Sequence, residues 1–219
     1  MTLNSTGVTT FAAAVGNTAA LGSVTTNAGG TLVMNGGSVT TIGAQSYGEA
    51  VTLGVATTLT ASDVTFANPV TGTSLSVVGT TTLNGGSVTT TGAQSYSGAM
   101  TLGEDTVLEA GASSITMGGT VDSATSTAKT LTLNSTGATT LGGALGSTHA
   151  LASLTTNVGG TLVMNGSSVT TTGAQSYGEA VTLGSAMALN ASGVTFANTV
   201  NGTSLSVVGT TTLNGGSVT

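Results

Sequence analysis

The chain has no cysteine, no tryptophan, a single proline (Pro69) and almost no charge. Without cysteine it can build neither a disulfide framework nor a thiolate metal site. That absence suits an extracellular setting in which free thiols are avoided. Charged residues make up 4% of the sequence, against about 25% in typical soluble domains. Lys129 is the one basic side chain, so the chain cannot supply the several phosphate contacts that nucleic-acid binding needs. Nor can it hold anionic lipid through a polybasic patch. No apolar run approaches the roughly 18 to 20 residues of a membrane helix, so no membrane insertion is expected. Met1–Ser5 has neither the positive region nor the apolar stretch of a signal peptide. Low charge combined with a positive mean hydropathy of +0.40 also excludes a solvated disordered chain, which needs low hydropathy and high net charge.

The polar surface must therefore come from Thr, Ser, Asn and Gly, residues that suit strands and tight turns and suit helices poorly. Apolar residues recur with a period of two, as in Val51-Thr52-Leu53, Val64-Thr65-Phe66, Leu75-Ser76-Val77 and Leu131-Thr132-Leu133. Such segments are half-buried strands. Between them lie Asn35-Gly36, Asn84-Gly85, Asn165-Gly166, Gly29-Gly30, Gly118-Gly119 and Gly159-Gly160, predicted to turn the chain through positive φ. No ten-residue segment carries helical apolar spacing, so the expected class is all-β.

The sequence repeats itself. Residues 1–89 align without a gap to residues 131–219, an offset of 130 with 20 differences. Inside that unit a thirteen-residue block, Asn84-Gly85-Gly86-Ser87-Val88-Thr89-Thr90-Thr91-Gly92-Ala93-Gln94-Ser95-Tyr96, appears nearly unchanged at Asn35–Tyr47 and Asn165–Tyr177, and begins again at Asn214. The chain therefore reads as one continuous array over 1–219, a first long repeat at 1–130 and a partial second at 131–219, with no linker. Both ends fall in mid-pattern, whereas a natural terminus would be expected to carry an atypical capping repeat; the expectation is a window from a longer array.

Two all-β architectures compete. A sandwich pairs strands antiparallel through hairpins. A parallel β-solenoid stacks each strand on its equivalent one turn earlier. The solenoid is favoured by apolar positions recurring about every 20 residues (Leu32, Leu53, Leu75), by small aliphatic core residues, and by the lack of charges that protect sandwich edges. About ten coils are predicted, roughly 50 Å in all at about 4.8 Å per coil.

The run Gly79-Thr80-Thr81-Thr82-Leu83-Asn84-Gly85-Gly86-Ser87-Val88-Thr89-Thr90-Thr91-Gly92-Ala93-Gln94-Ser95-Tyr96, followed by Ala99-Met100-Thr101-Leu102-Gly103, resembles repeats of giant bacterial surface proteins, the filamentous-haemagglutinin-like and autotransporter-like adhesins. The resemblance spans essentially the whole chain. It implies the shaft of a secreted rod at the bacterial cell surface, with binding delegated to other regions. It carries no functional residues, because it lies in scaffold positions.

Candidate chemistry is sparse, and no catalytic set, cofactor or metal site is expected. His149 is the single histidine and its equivalent in the first repeat is Ala19, so it has no partners for a triad or metal site. Glu104, Asp105, Glu109 and Asp122 form the one carboxylate group that corners could gather around Ca²⁺, with solvated strand ends the plainer reading. Tyr47, Tyr96 and Tyr177 share one place in the block. They could form a ligand-binding platform on which a host glycan stacks, or pack over corners. A Thr-rich face could bind ice, but Thr58-Leu59-Thr60, Thr80-Thr81-Thr82 and Thr130-Leu131-Thr132 are unevenly spaced in the sequence. The favoured function is a structural segment of an extracellular fibre or adhesin stalk. Its expected partners are further copies of itself stacked end to end, or flanking repeats of a longer parent chain.

Overall fold

The computed structural model describes residues 1–125, 127–215 and 217–219. Among them every regular element is a strand, and every strand pairing is parallel. The chain winds into a β-solenoid of about 11 turns. A sandwich is excluded, because its hairpins would require antiparallel neighbours.

Three ladders of stacked strands run along the rod, defining faces a, b and c in the order in which the chain visits them. On face a the inward partners are Val24, Gln45, Val64, Thr81, Met100, Val121, Leu145, Val169, Leu189 and Val207. On face b they begin Thr9, Leu32, Val51, Val70, Val88, Leu108. On face c they begin Val15, Val39, Leu59, Val77, Tyr96, Met117. Strands form here because alternate residues are apolar and the remainder are mostly Thr and Ser. β-branched side chains fit the pleated surface, and short segments such as Met100–Leu102 bury their two ends and leave the middle at the surface. Backbone amides and carbonyls are satisfied by the coils above and below.

Four long strands, Thr57–Phe66, Leu75–Leu83, Met187–Phe196 and Leu205–Leu213, each bend across a corner and serve two faces. The bend in Leu75–Leu83 is at Gly79, where the register shifts between Val78 and Thr80. Gly79 has φ 128°, and a Cβ there would lie 2.1 Å from the Ala61 carbonyl oxygen of the coil beneath.

The long sequence repeat does not span a whole number of turns. From Val24, six steps up face a lead to Leu145, yet the repeat-equivalent of Val24 is Leu154. Leu154 pairs with Leu131 and Gln175 on face b. One repeat is thus about six and one-third turns, and each equivalent residue moves to the next face. Val39 accordingly stacks on face c, and its equivalent Val169 on face a.

The glycines of the block differ from expectation. Gly37 and Gly86 do adopt positive φ, at 75° and 74°, but the glycine that follows the asparagine does not. Gly36 and Gly85 are needed for room instead: a Cβ on Gly36 would lie 2.0 Å from the Ala13 backbone.

Candidate functional site

The three complete blocks occupy three different corners. Asn35–Tyr47 turns from face c to face a, Asn84–Tyr96 from b to c, and Asn165–Tyr177 from a to b. The same local structure is built at each. Gln and Tyr are two residues apart on a strand, so both point inward. Gln45 Nε2 donates to Val39 O (3.0 Å), to Thr60 O of the next coil (3.0 Å) and to Thr41 Oγ1 (3.3 Å). Its Oε1 accepts the Tyr47 hydroxyl at 2.8 Å. Gln94 repeats the pattern on Val88 O, Glu109 O and Thr90 Oγ1, with Tyr96 on its Oε1 at 3.0 Å. Gln175 does so on Val169 O, Asn190 O and Thr171 Oγ1, with Tyr177 at 2.9 Å. The threonine is tied down in turn by donating to the carbonyl two residues on, as Thr41 does to Gly43 O at 2.6 Å.

This arrangement corrects the reading of the tyrosines as a ligand platform. Tyr47, Tyr96 and Tyr177 are 0%, 1% and 0% exposed, and no ring face is open to a sugar. Tyr47 stacks on Phe66 (5.5 Å between centroids) and Tyr177 on Phe196 (5.1 Å). Burial pushes all three phenols well above their ordinary range. The glutamine is a functional position that the sequence motifs do not single out, although its fixed spacing before the tyrosine, Gln-Ser-Tyr in every complete block, is a readable signal for two inward neighbours on one strand.

The acidic residues do not converge. Glu104 pairs with Lys129 at 3.3 Å at the surface. Asp105 Oδ1 accepts the Thr130 amide at 2.8 Å. Asp122 Oδ1 accepts the amides of Thr148 and His149, at 2.7 and 3.2 Å. Glu109 stands outward, paired in register with Asn134. Among the described residues no three His, Cys, Asp or Glu side chains are grouped to hold a metal ion. His149 is exposed in a bend.

The threonine runs singled out in the sequence fall on three different faces, Thr58–Thr60 on c, Thr80–Thr82 on a and Thr130–Thr132 on b, but a different set of hydroxyls does line up in the rod. On face a the outward column reads Thr2, Thr25, Ser46, Thr65, Thr82, Thr101 and Asp122, one residue per coil. Coil length varies, so the sequence spacing of this column varies with it, while the spatial spacing is held near 4.8 Å by the backbone ladder.

Comparison with protein families, curated proteins and solved structures finds no match to this chain. What the geometry defines is a class by architecture: a three-faced parallel β-solenoid with a buried Gln–Tyr corner lock.

Proposed function

We propose that the chain is a shaft segment, a stiff spacer of an extracellular bacterial fibre or adhesin stalk that associates end to end. The observation that carries this reading is a pair of identical leucines. Leu83 stacks between Phe66 and Leu102 and is 2% exposed, whereas its equivalent Leu213 stacks on Phe196 alone and is 52% exposed. The sequence around them is the same; the difference is the presence of a coil above. A further coil of matching shape, from a second copy or from flanking repeats, buries that apolar edge and pairs its open amides and carbonyls. The polar chemistry of the corners is meanwhile turned inward, which suits a spacer better than a binding module.

The test is light scattering and electron microscopy of the purified chain across a concentration series. End-to-end growth of rods with one repeating width is expected. A chain that stays a single rod about 50 Å long at every concentration would sink the association. Lateral clumping without end-to-end growth would sink the stalk reading with it.

The outward column on face a supports a second reading, ice binding through regularly spaced hydroxyls. Thermal hysteresis measured on the chain decides it: none at high concentration removes the reading.

A further inference from the structure

Two carboxylates are buried in this rod without a partner. Glu49 and Glu179 are each 1% exposed, and none of their four side-chain oxygens has a hydrogen-bond partner. They are repeat equivalents, each following a Tyr-Gly pair at the corner that leaves the Gln–Tyr strand.

The space they fill is made by the coil beneath. Under Glu49 the chain connects Val24–Thr26 to Thr31–Met34 through the loop Asn27-Ala28-Gly29-Gly30, in which Gly29 has φ 101°. The Glu49 carboxyl carbon lies 3.5 Å from the point where a Cβ on Gly30 would stand. Asn27 fastens this loop by accepting the Ser5 amide at 2.9 Å. The second repeat has the same loop, Asn157-Val158-Gly159-Gly160, under Glu179, with Asn157 accepting the Ser135 amide at 3.1 Å. The middle block lacks both parts. Its coil beneath passes the corner as continuous strand through Gly79, and Gly98 stands where the glutamate would be. A Cβ on Gly98 would lie 2.3 Å from the Gly79 carbonyl oxygen, so no side chain fits. Glutamate and loop therefore occur together, and the corner folds without them.

No charge compensates these carboxyls. The segments packed against Glu49 are Ser5–Gly7 and Asn27–Gly30 beneath and Asn68–Pro69 above, and none carries a titratable side chain. Around Glu179 the corresponding Ser135–Gly137, Asn157–Gly160 and Asn198–Thr199 carry none either. On their own coils the nearest titratable groups are the buried Tyr47 and Tyr177 hydroxyls, both already donated to glutamine. The Met1 ammonium is held on the Ser23 carbonyl oxygen at 2.7 Å.

We propose that Glu49 and Glu179 are proton-operated joints: the neutral carboxyl sits inside the closed corner, and ionisation expels it and opens the loop beneath. The physical cause is desolvation, since an unpaired carboxylate cannot remain in an apolar interior. Burial pushes the Glu179 carboxyl up to about 7 and raises that of Glu49. A carboxyl raised in the folded state binds its proton more tightly there than in the unfolded chain. Its contribution to stability is complete below the unfolded value of about 4.3 and is lost as pH rises through the folded value. The rod is thus closed along its length in mild acid; the Glu179 corner loosens above neutrality, and the Glu49 corner, roughly 30 Å away, loosens as pH rises through its own raised value.

The test is amide hydrogen exchange, corrected for its intrinsic pH dependence, on the full chain and on the Glu49→Gln/Glu179→Gln variant. Between pH 5 and pH 8.5 the wild type is expected to lose protection at least about tenfold in peptides covering 157–161, one pKa unit being a factor of ten, and to lose protection in the same direction in peptides covering 27–31. The glutamine variant, neutral and of the same shape, is expected to show no such change. Equal wild-type protection at both pH values, or the same loss in the variant, overturns the proposal. A carbon-13 carboxyl titration provides the second readout: Glu49 and Glu179 must titrate above the ordinary glutamate value of about 4.3, and midpoints at that value overturn it. Recovery of protection at pH 8.5 on adding Na⁺ or Ca²⁺ would make these groups cation ligands, which also overturns it.

Discussion

The Tyr47 hydroxyl is donated to Gln45 Oε1, two residues back on the same strand, at 2.8 Å inside the rod. That bond fixes which end of the amide faces which way. With Oε1 taken by the phenol, Nε2 is left for the carbonyls of Val39 and Thr60, one on its own coil and one on the next. One side chain thereby closes a corner and joins two turns.

Removing the amide strands all of its partners. Gln94→Leu is expected to cost about 3 kcal/mol, because Val88 O, Glu109 O and the Tyr96 hydroxyl lose a buried partner together. Tyr96→Phe is expected to cost less, about 1 kcal/mol, as only the glutamine oxygen is left short. Chemical denaturation of both variants checks the order; equal costs would show that the phenol, rather than the amide, holds the corner.

Glycine substitutions should divide by what the next coil allows. Gly79→Ala is expected to destabilise by at least about 3 kcal/mol, since φ 128° and the Ala61 carbonyl both oppose a Cβ. Gly22→Ala has open space around it and no positive φ, and is expected to be neutral or slightly stabilising. Thermal melts of the two variants, side by side, read this directly.

A core truncation should act locally. Leu102 is 0% exposed and stacks between Leu83 and Ser123, so Leu102→Ala is expected to cost about 2 to 5 kcal/mol. In a nearest-neighbour stack the lost protection belongs to the adjoining coils. Hydrogen exchange should show it within residues 75–125 while 180–200 stay protected. A uniform loss would mean that the rod unfolds as one unit.

The tyrosines provide an optical check. Their phenols are held neutral by burial. The raised affinity favours the folded state below the unfolded value of about 10, and this contribution is lost as pH rises toward the folded value. Tyrosinate absorbance is therefore expected to appear only together with unfolding, monitored by circular dichroism. Titration near pH 10 in a folded rod would contradict the buried placement.

Protease sensitivity follows from composition. Trypsin is expected to cut at most once, after Lys129, whose ammonium is tied to Glu104. Mass spectrometry of the digest checks this.

The period-two pattern made the strands legible, because alternation is a local property of the backbone, and the recurrence of apolar positions about every 20 residues favoured stacking them as parallel coils. The inward apolar positions were legible for the same reason: Val51, Leu53, Val64 and Phe66 alternate in the sequence and are buried. The role of the tyrosines was not. Alternation places Tyr96 on the same side as Gln94, but an aromatic beside polar residues reads equally well as surface, and only the carbonyls converging from the next coil show the pair to be interior. The threonine column was hidden by unequal coil lengths, which break the sequence spacing while the ladder preserves the spatial one.

By itself, then, the sequence determined an all-β, repetitive, nearly uncharged rod, since those features depend on residue type and short-range order. The tertiary structure alone decided how the repeats relate. A repeat of about six and one-third turns carries each Gln–Tyr lock to a new corner, because face assignment depends on the summed length of every coil between copies. It also decided that Glu49 and Glu179 are buried while the other acids are not, because the space they occupy belongs to the coil beneath.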